Sequence, residues 1–397
     1  MRQDGEIVAE NVQGYLDYEK AISFSELYFA ANECDNGVNW KDSVIKWMFN
    51  LLTNISNLRR KIINGTYKIS EYIRFTIYEP KTRTIFSTKF IDRILQRSLC
   101  NNGLYWALTR SLIYNNCACQ IGKGTSFAIE RFDVMLHDYY RMYGTNKGFA
   151  VIVDIHDYFG SIPHGLLKDD VRKAVPEPNF RKHVFDIIDS FKDMRPIEEI
   201  KNDHFGERGL GLGSQISQLL ALLYTSDLDH YAKEELFLRF YIKYMDDIIF
   251  LLPTMELAME AFDKIVSFLR SKGLEPNPKS RIVPLEHGIK FLKVNFKLTP
   301  TGAVRHKISA DSINRELKRI TVLLNLYKEH HIDFDYLLQH FNSWVGHFKM
   351  RMSTKQFPIL NNHIKSIMAQ IGMDSETFEK LNNSSDISNK TAIQDED

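Results

Sequence analysis

An α+β fold is predicted for this 397-residue chain by three features. Helical periodicity dominates both ends, short β-rich runs in the middle pair across turns, and one continuous apolar strand, GFAVIVD, stands among them. At 44% hydrophobic and 12% aromatic the chain can bury a large core, and its length suits two or three domains or one composite one.

The elements follow in order. WKDSVIKWMFNLLTNISNLRRKII carries apolar residues at three-to-four spacing and meets a stop signal at Asn64-Gly65, so residues 1 to about 65 read as mostly helical. KISEYIRFTIYEPKTRTIF then reads as two strands around a Glu79-Pro80-Lys81-Thr82 turn. Helical patterns run to about 115, where CQIGKGTSFAIERF begins a helix at Thr125 or Ser126. Its GKGT lacks the upstream glycine and strand of a P-loop. What it offers instead is a helix start whose N–H groups suit an anion such as an RNA phosphate.

In GFAVIVDIHDYFGSIPH the apolar run ends in Asp154 and breaks at Ser161-Ile162-Pro163; without alternation it implies a strand buried on both faces. A helical stretch over about 165–195 leads to RGLGLGSQISQLLALLY, a glycine-rich loop turning into a helix. LRFYIKYMDDIIFLL reads as a hairpin turning at Met245 and Asp246. A helix over about 255–272, the loop GLEPNPKS and a strand pair within IVPLEHGIKFLKVNFKLT come next. Helices over about 310–328, 333–350 and 355–372 follow, with Trp344 and Phe348 at i and i+4 as helix-face core. The end, NNSSDISNKTAIQDED, has the composition of a disordered tail.

Net charge is only +1, but Asp374–Asp397 holds seven acids against two lysines, a net of −5, which leaves the rest of the chain at +6. The basic residues cluster. From Arg59 to Arg97 ten Lys/Arg face three acids, with Tyr67, Tyr72, Phe75, Tyr78 and Phe86 between them. From Tyr336 to Met373 there are four basic residues and no acid. Such stripes fit a phosphate backbone. MRQDGEIVAE has no apolar core of a signal peptide, and apolar runs such as Leu219–Tyr224 and Ile248–Leu252 are too short to cross a bilayer, so a soluble, cytoplasmic protein with no membrane partner is expected. Cys34, Cys100, Cys117 and Cys119 include no C-x-x-C and read as reduced thiols.

Asp246 and Asp247 are the anomaly. Two like charges between strand-like runs repel, and in a poorly hydrated site one must keep its proton unless a cation lies between them. An adjacent pair alone means little, since Asp169-Asp170 is another, on a surface helix. Asp154 changes that reading: it ends an apolar strand that can lie beside the hairpin. Three acids at one sheet end suit two magnesium ions about 3.5–4 Å apart, the clamp of in-line phosphoryl displacement. Magnesium draws substrate phosphates into its shell, which implies a nucleoside triphosphate.

With these residues in hand the chain resembles the reverse transcriptases. YMDD follows DIHDYF; PKTRTI and FIDRILQRSL precede the first Asp; LGSQISQ lies between the acidic motifs; LEPNPKS and GIKFLKVNF follow them. The resemblance spans roughly residues 60–350 and implies a right-hand polymerase with fingers, palm and thumb, an antiparallel palm sheet and a helical thumb. It implies N-terminal helices and fingers over 1–148, palm over 149–305 with part of the fingers at about 165–205, thumb over 306–372 and an acidic tail over 373–397.

The resemblance also implies roles. Asp154, Asp246 and Asp247 become metal ligands, with Ile155 among the metal-site positions, for two Mg2+ ions or Mn2+ in their place. Phe159 matches the bulky residue that blocks a ribose 2′-OH, so deoxynucleotides are the implied substrate. Lys81 and Arg83 match the fingers contacts to the triphosphate, where a guanidinium fork suits phosphate oxygens. Gly213, Ser217 and Gln218 match the motif supporting template base and nucleotide, and Tyr244 joins the substrate contacts. Lys279 is the candidate proton donor to pyrophosphate. Lys349, Arg351 and Lys355 would face the product duplex.

Leu212-Gly213 and Ser217-Gln218 stand where many reverse transcriptases have Gln-Gly and Ser-Pro. The departure resembles bacterial defence-associated, abortive-infection-related and diversity-generating retroelement enzymes, as does FNSWVGHFKM. A non-coding RNA template, a DNA product strand and dNTPs are the implied partners, with a second reverse transcriptase, an accessory protein or a second copy of the chain left open. Antiphage defence is the leading role; a retroelement enzyme, a silent RNA-binding polymerase-like protein, and untemplated or protein-primed synthesis are the alternatives.

Overall fold

A computed structural model describes residues 16–349 except 79–81, 192, 194 and 212, together with 362, 364–366 and 369; the side chains of 83 and 345–349 are outside that description. The Glu79-Pro80-Lys81 turn, Arg351, Lys355, most of the third thumb helix and the acidic tail therefore lie outside the described residues.

Nine strands are described: β1 (Ile73–Ile77), β2 (Arg83–Ser87), β3 (Phe149–Asp154), β4 (Phe240–Tyr244), β5 (Asp247–Leu252), β6 (Arg281–Pro284), β7 (Ile289–Phe291), β8 (Val294–Leu298) and β9 (Val304–Ile308). They make a β1-β2 hairpin, a four-stranded sheet in the order β4-β5-β3-β6 and a three-stranded sheet in the order β7-β8-β9. The chain divides into two compact units, Met1–Ala128 with Val151–Ile282, and Ile129–Ala150 with Val283–Asp397. No helix among the described residues is long and apolar enough to cross a membrane.

In the first unit Ser23 caps the helix Phe24–Asp35, its hydroxyl accepting from Glu26 N at 3.3 Å, while the helix Leu51–Ile63 ends at Asn64, after which Gly65, at φ +67°, leaves helical space. The apolar runs become the buried strands they predict: Val151 and Val153 of β3, Phe240–Ile242 of β4 and Ile248–Leu251 of β5 are core residues. The helical stretch over about 165–195 is two helices, His164–Ala174 and Pro178–Ser190, because Pro176 interrupts the first and Glu177 caps the second through Phe180 N.

Tyr18 reaches the second of these helices, its hydroxyl 2.9 Å from His183 Nε2. Burial, with the Lys182 charge adding, holds the His183 pKa down at about 4. An unfolded histidine takes its proton near 6.5. The unfolded chain therefore binds the extra proton between these values, and stability falls as pH drops through that window. Denaturant titrations at pH 7.5 and pH 5 should differ by about 2 kcal/mol from this site. His183→Gln should remove that difference; an unaltered slope in the variant would exclude the site as its source.

In the second unit the helix rising from Thr125 packs Phe132 against Phe291 and Phe296, at ring separations of 5.2 and 4.8 Å. Leu292 and Lys293, at φ +46° and +70°, form the two-residue turn between β7 and β8. The expected strand pair gains β9 as a third strand, entered through a turn at Gly302 (φ +82°). Ile320, Leu323, Leu324, Leu337, Phe341, Trp344 and Ile364 form the helical core beyond it. Trp344 is thus core, as its spacing predicts.

Candidate active site

Hairpin register puts the acids where they are. Pairing from Phe240↔Leu251 to Tyr244↔Asp247 leaves Met245 and Asp246 as the two-residue turn. Met245 takes φ +55°, a left-handed conformation uncommon for a long side chain, and is nonetheless buried. Asp246 lies in the turn, Asp247 opens β5, and both are half-buried.

β3 ends beside them. Ile155 N donates to Asp246 O at 3.1 Å, which fixes the end of β3 to the turn by main chain alone. The segment after Gly273 straps the other edge: Asn277 N donates to Asp154 O at 2.6 Å, and Ser280 Oγ accepts from Asp154 N at 3.1 Å. Asp154, Asp246 and Asp247 thereby share one end of the sheet. Their charges interact: burial pushes the Asp247 carboxyl up to about 7, and Asp246 and then Asp154 add to the rise. Among the described residues, no group of three or more His, Cys, Asp or Glu is gathered tightly enough to hold a metal ion as placed.

A cleft of about 610 Å³ opens beside Phe159, lined also by Thr84 and Phe86 of β2 and by Phe191, Arg195 and Arg208. Tyr158 is buried and the adjacent Phe159 is half-buried, facing its neighbour edge-on with ring centroids 5.7 Å apart. Gly213, at φ +122°, lies against β2: a Cβ there would stand 3.0 Å from Phe86 O. Glycine is needed for this close approach. Ser214 caps the helix Gln215–Tyr224 and donates to Gln96 Oε1 at 2.6 Å. Ser217 is buried, with its Oγ unpartnered among the described residues, whereas Gln218 is exposed. Tyr244 is half-buried opposite Asp247.

Arg83 opens β2 opposite Ile77, and Lys279 is exposed, its amide bound to Asn277 Oδ1 at 3.1 Å. Lys349 ends the helix Phe334–Lys349. Lys123 of GKGT is engaged internally, donating to Tyr114 O and Asn116 O at 3.0 Å each, while the helix does begin at Thr125.

Sequence reasoning missed an ion cluster in the wall of the cleft. Arg208 donates to both oxygens of Asp203 at 2.6 and 2.9 Å and to Ser161 O at 3.3 Å, and Arg195 bridges Asp193 and Asp203, each at 2.6 Å. The hint was the density of alternating charges from Asp193 to Arg208.

An antiparallel sheet bearing carboxylates at one end, set among helices, is the α+β class of the right-hand polymerases. The chain belongs to the reverse transcriptase (RNA-dependent DNA polymerase) family, whose model matches residues 79–296. No curated protein matches it. Among solved structures it is similar to apo telomerase from Candida tropicalis, truncated from its C-terminal domain: TM-score 0.44, 14% identity, 65% of this chain and 60% of that one. It is also similar to telomerase from Candida albicans in complex with a TWJ fragment of telomeric RNA: TM-score 0.42, 12% identity, 84% of this chain and 70% of that one. The chain thus spans less than two thirds of the first of these relatives.

Proposed function

We propose that this protein is an RNA-directed DNA polymerase that adds deoxynucleotides to a primer by a two-metal mechanism. The observation that carries the reading is the Ile155–Asp246 main-chain bond, which holds the end of β3 against the hairpin turn and so brings Asp154, Asp246 and Asp247 to one end of the sheet. The donor chemistry is that of a hard divalent cation, which would draw the three carboxylates together: oxygen ligands throughout, one of them a carboxyl that burial and two neighbouring acids keep from ionising freely. Bound Mg2+, or Mn2+ in its place, would neutralise the charge developing on the attacking and leaving oxygens.

The chain's own residues do the rest. Asp154, Asp246 and Asp247 hold the reacting centre, with Ile155 carrying the strand end between them. Phe159 lies at the cleft and excludes a ribose 2′-OH; Tyr244 and the Gly213–Gln218 segment complete the nucleotide surroundings. Lys81 and Arg83 receive the triphosphate, and Lys279 holds the proton that leaves with pyrophosphate. Lys349, Arg351 and Lys355 face the template–product duplex.

Extension of an RNA-templated primer by the purified full chain with Mg2+ and dNTPs tests the reading. No extension by a wild type that binds the template would end it. Phe159→Ala should narrow the preference for dNTPs over rNTPs by at least ~10-fold, read as the ratio of kcat/KM values. An unchanged ratio would remove Phe159 from selection.

The biological reading is antiphage defence in a bacterial cytoplasm, with a dedicated non-coding RNA as template and a DNA strand as product. LGSQISQ and FNSWVGHFKM support it through their resemblance to defence-associated enzymes, and four free cysteines are compatible with a reducing compartment. Sequencing the nucleic acid that copurifies with the protein would identify template and product.

A further inference from the structure

Lys243 stands immediately before the Tyr244-Met245-Asp246-Asp247 motif, and its side chain is fully buried beside an equally buried Asp229, Nζ to Oδ1 3.3 Å. A buried ion pair is an expensive choice, since well-packed apolar residues in its place are often as stable or more so. Its geometry suggests another use. Asp229 is saturated: Tyr241 OH donates to Oδ1 at 2.7 Å and Asn116 Nδ2 to Oδ2 at 2.8 Å. Lys243 Nζ donates to Thr225 O at 3.0 Å and also to Thr225 Oγ1. Thr225 Oγ1 lies 2.8 Å from Tyr158 OH, and that phenol also donates to Ala221 O.

We infer that the Lys243–Asp229 pair is a positioning device for nucleotide selection: it sets Thr225, Thr225 holds the Tyr158 phenol, and the Tyr158 ring sets Phe159 at the cleft. The inference rests on the polymerase reading, with Phe159 as the residue that excludes the 2′-OH. The hydrogen-bond chain begins two residues from the catalytic turn and ends one residue from Phe159, so a single buried charge ties both halves of the site to the helix Gln215–Tyr224 and the turn after it. Tyr158 is hydrogen-bonded at its far end and packed along its ring, which leaves Phe159 little freedom to yield to a larger sugar. Neither Lys243 nor Tyr158 touches substrate. Each acts through Phe159.

The test is single-nucleotide incorporation by the full chain on poly(rA)–oligo(dT) with Mg2+, comparing dTTP with UTP. Tyr158→Phe and Thr225→Val each remove one link while keeping shape. Both should narrow the dTTP-over-UTP ratio of kcat/KM about tenfold, chiefly by lowering KM for UTP, with kcat for dTTP within about threefold of wild type. Thr225→Ser keeps the hydroxyl and should keep the wild-type ratio. Lys243→Met should narrow the ratio as Tyr158→Phe does; should that variant fail to fold, the Val and Ser variants at Thr225 decide. Wild-type ratios in both Tyr158→Phe and Thr225→Val, or equal ratios in Thr225→Ser and Thr225→Val, would overturn the inference while leaving the polymerase reading intact. An inactive wild type would overturn both.

Discussion

Alanine at both Asp246 and Asp247 is expected to abolish primer extension, a loss of at least ~10³-fold in kcat/KM, on the scale lost when electrostatic stabilisation of a developing charge is removed. The same double variant should fold normally. Its two positions bring negative charges together in a half-buried place, where burial pushes Asp247 up to about 7 and Asp246 and Asp154 resist its ionisation further. Deleting them relieves repulsion that opposes folding, so in EDTA the variant should melt no lower than the wild type, the exchange of stability for activity common at functional sites. Adding Mg2+ or Mn2+ should raise the wild-type Tm by mass action and leave the variant's unmoved. Primer extension and melting curves with and without metal read both effects. A wild type whose Tm ignores divalent ions, or a variant that still extends a primer, would break the link between these carboxylates and a metal.

Arg208→Met should destabilise the fold by about 1–3 kcal/mol, because it takes from the half-buried Asp203 the guanidinium that meets both of its oxygens. Arg208 satisfies Asp203 with two hydrogen bonds, its amide donates to Asp193 at 2.9 Å, and its guanidinium reaches Ser161 O and Gly273 O. Only the side-chain bonds are lost in the variant. Arg195 still reaches Asp203, which caps the penalty. Arg208 first, then Arg195, holds the Asp203 carboxyl well below the usual carboxylate range. A depressed carboxylate contributes stability above its unfolded pKa, near 3.9, and loses it as pH falls toward the folded value. The wild type should thus lose this contribution only under strong acid, and Arg208→Met should already lack part of it at neutral pH, Arg195 holding the rest. Because Gly209 N donates to Ile162 O and Leu210 N to Phe159 O, the same loop supports the cleft, and KM for nucleotide should rise with the loss of stability. Thermal melts of the two proteins would settle it: equal Tm values would mean that the cluster is solvated and carries little.

Much of the site was legible because its signals are local. A two-residue turn, alternating β-branched and aromatic residues and a non-alternating apolar run specify the β4–β5 hairpin and β3 from neighbouring residues alone. Asp154 and the Asp246-Asp247 couple stand at the ends of these elements and are legible with them. Lys243 was passed over for the opposite reason: a lysine in a strand reads as solvated, and only Asp229, fourteen positions earlier, makes its burial tolerable. The Arg208 cluster was missed because alternating charges in a loop look like ordinary surface until their partners fold over them. Ser217 and Gln218 are adjacent in one motif, yet one is buried and the other exposed, a distinction made by the helix face and invisible in the pattern.

The sequence by itself determined the α+β class, the elements around the three acids and the family they resemble, since hydrophobic period and turn chemistry act over a few residues. Tertiary structure decided which elements share a unit: the helix that rises from Thr125 packs on β7 and β8 and shares their unit with the helices beyond, while β4 and β5 belong with the N-terminal helices. It also decided which charges go inside. Partnership across long separations is set by packing and desolvation, which depend on neighbours in space and leave no period in the chain.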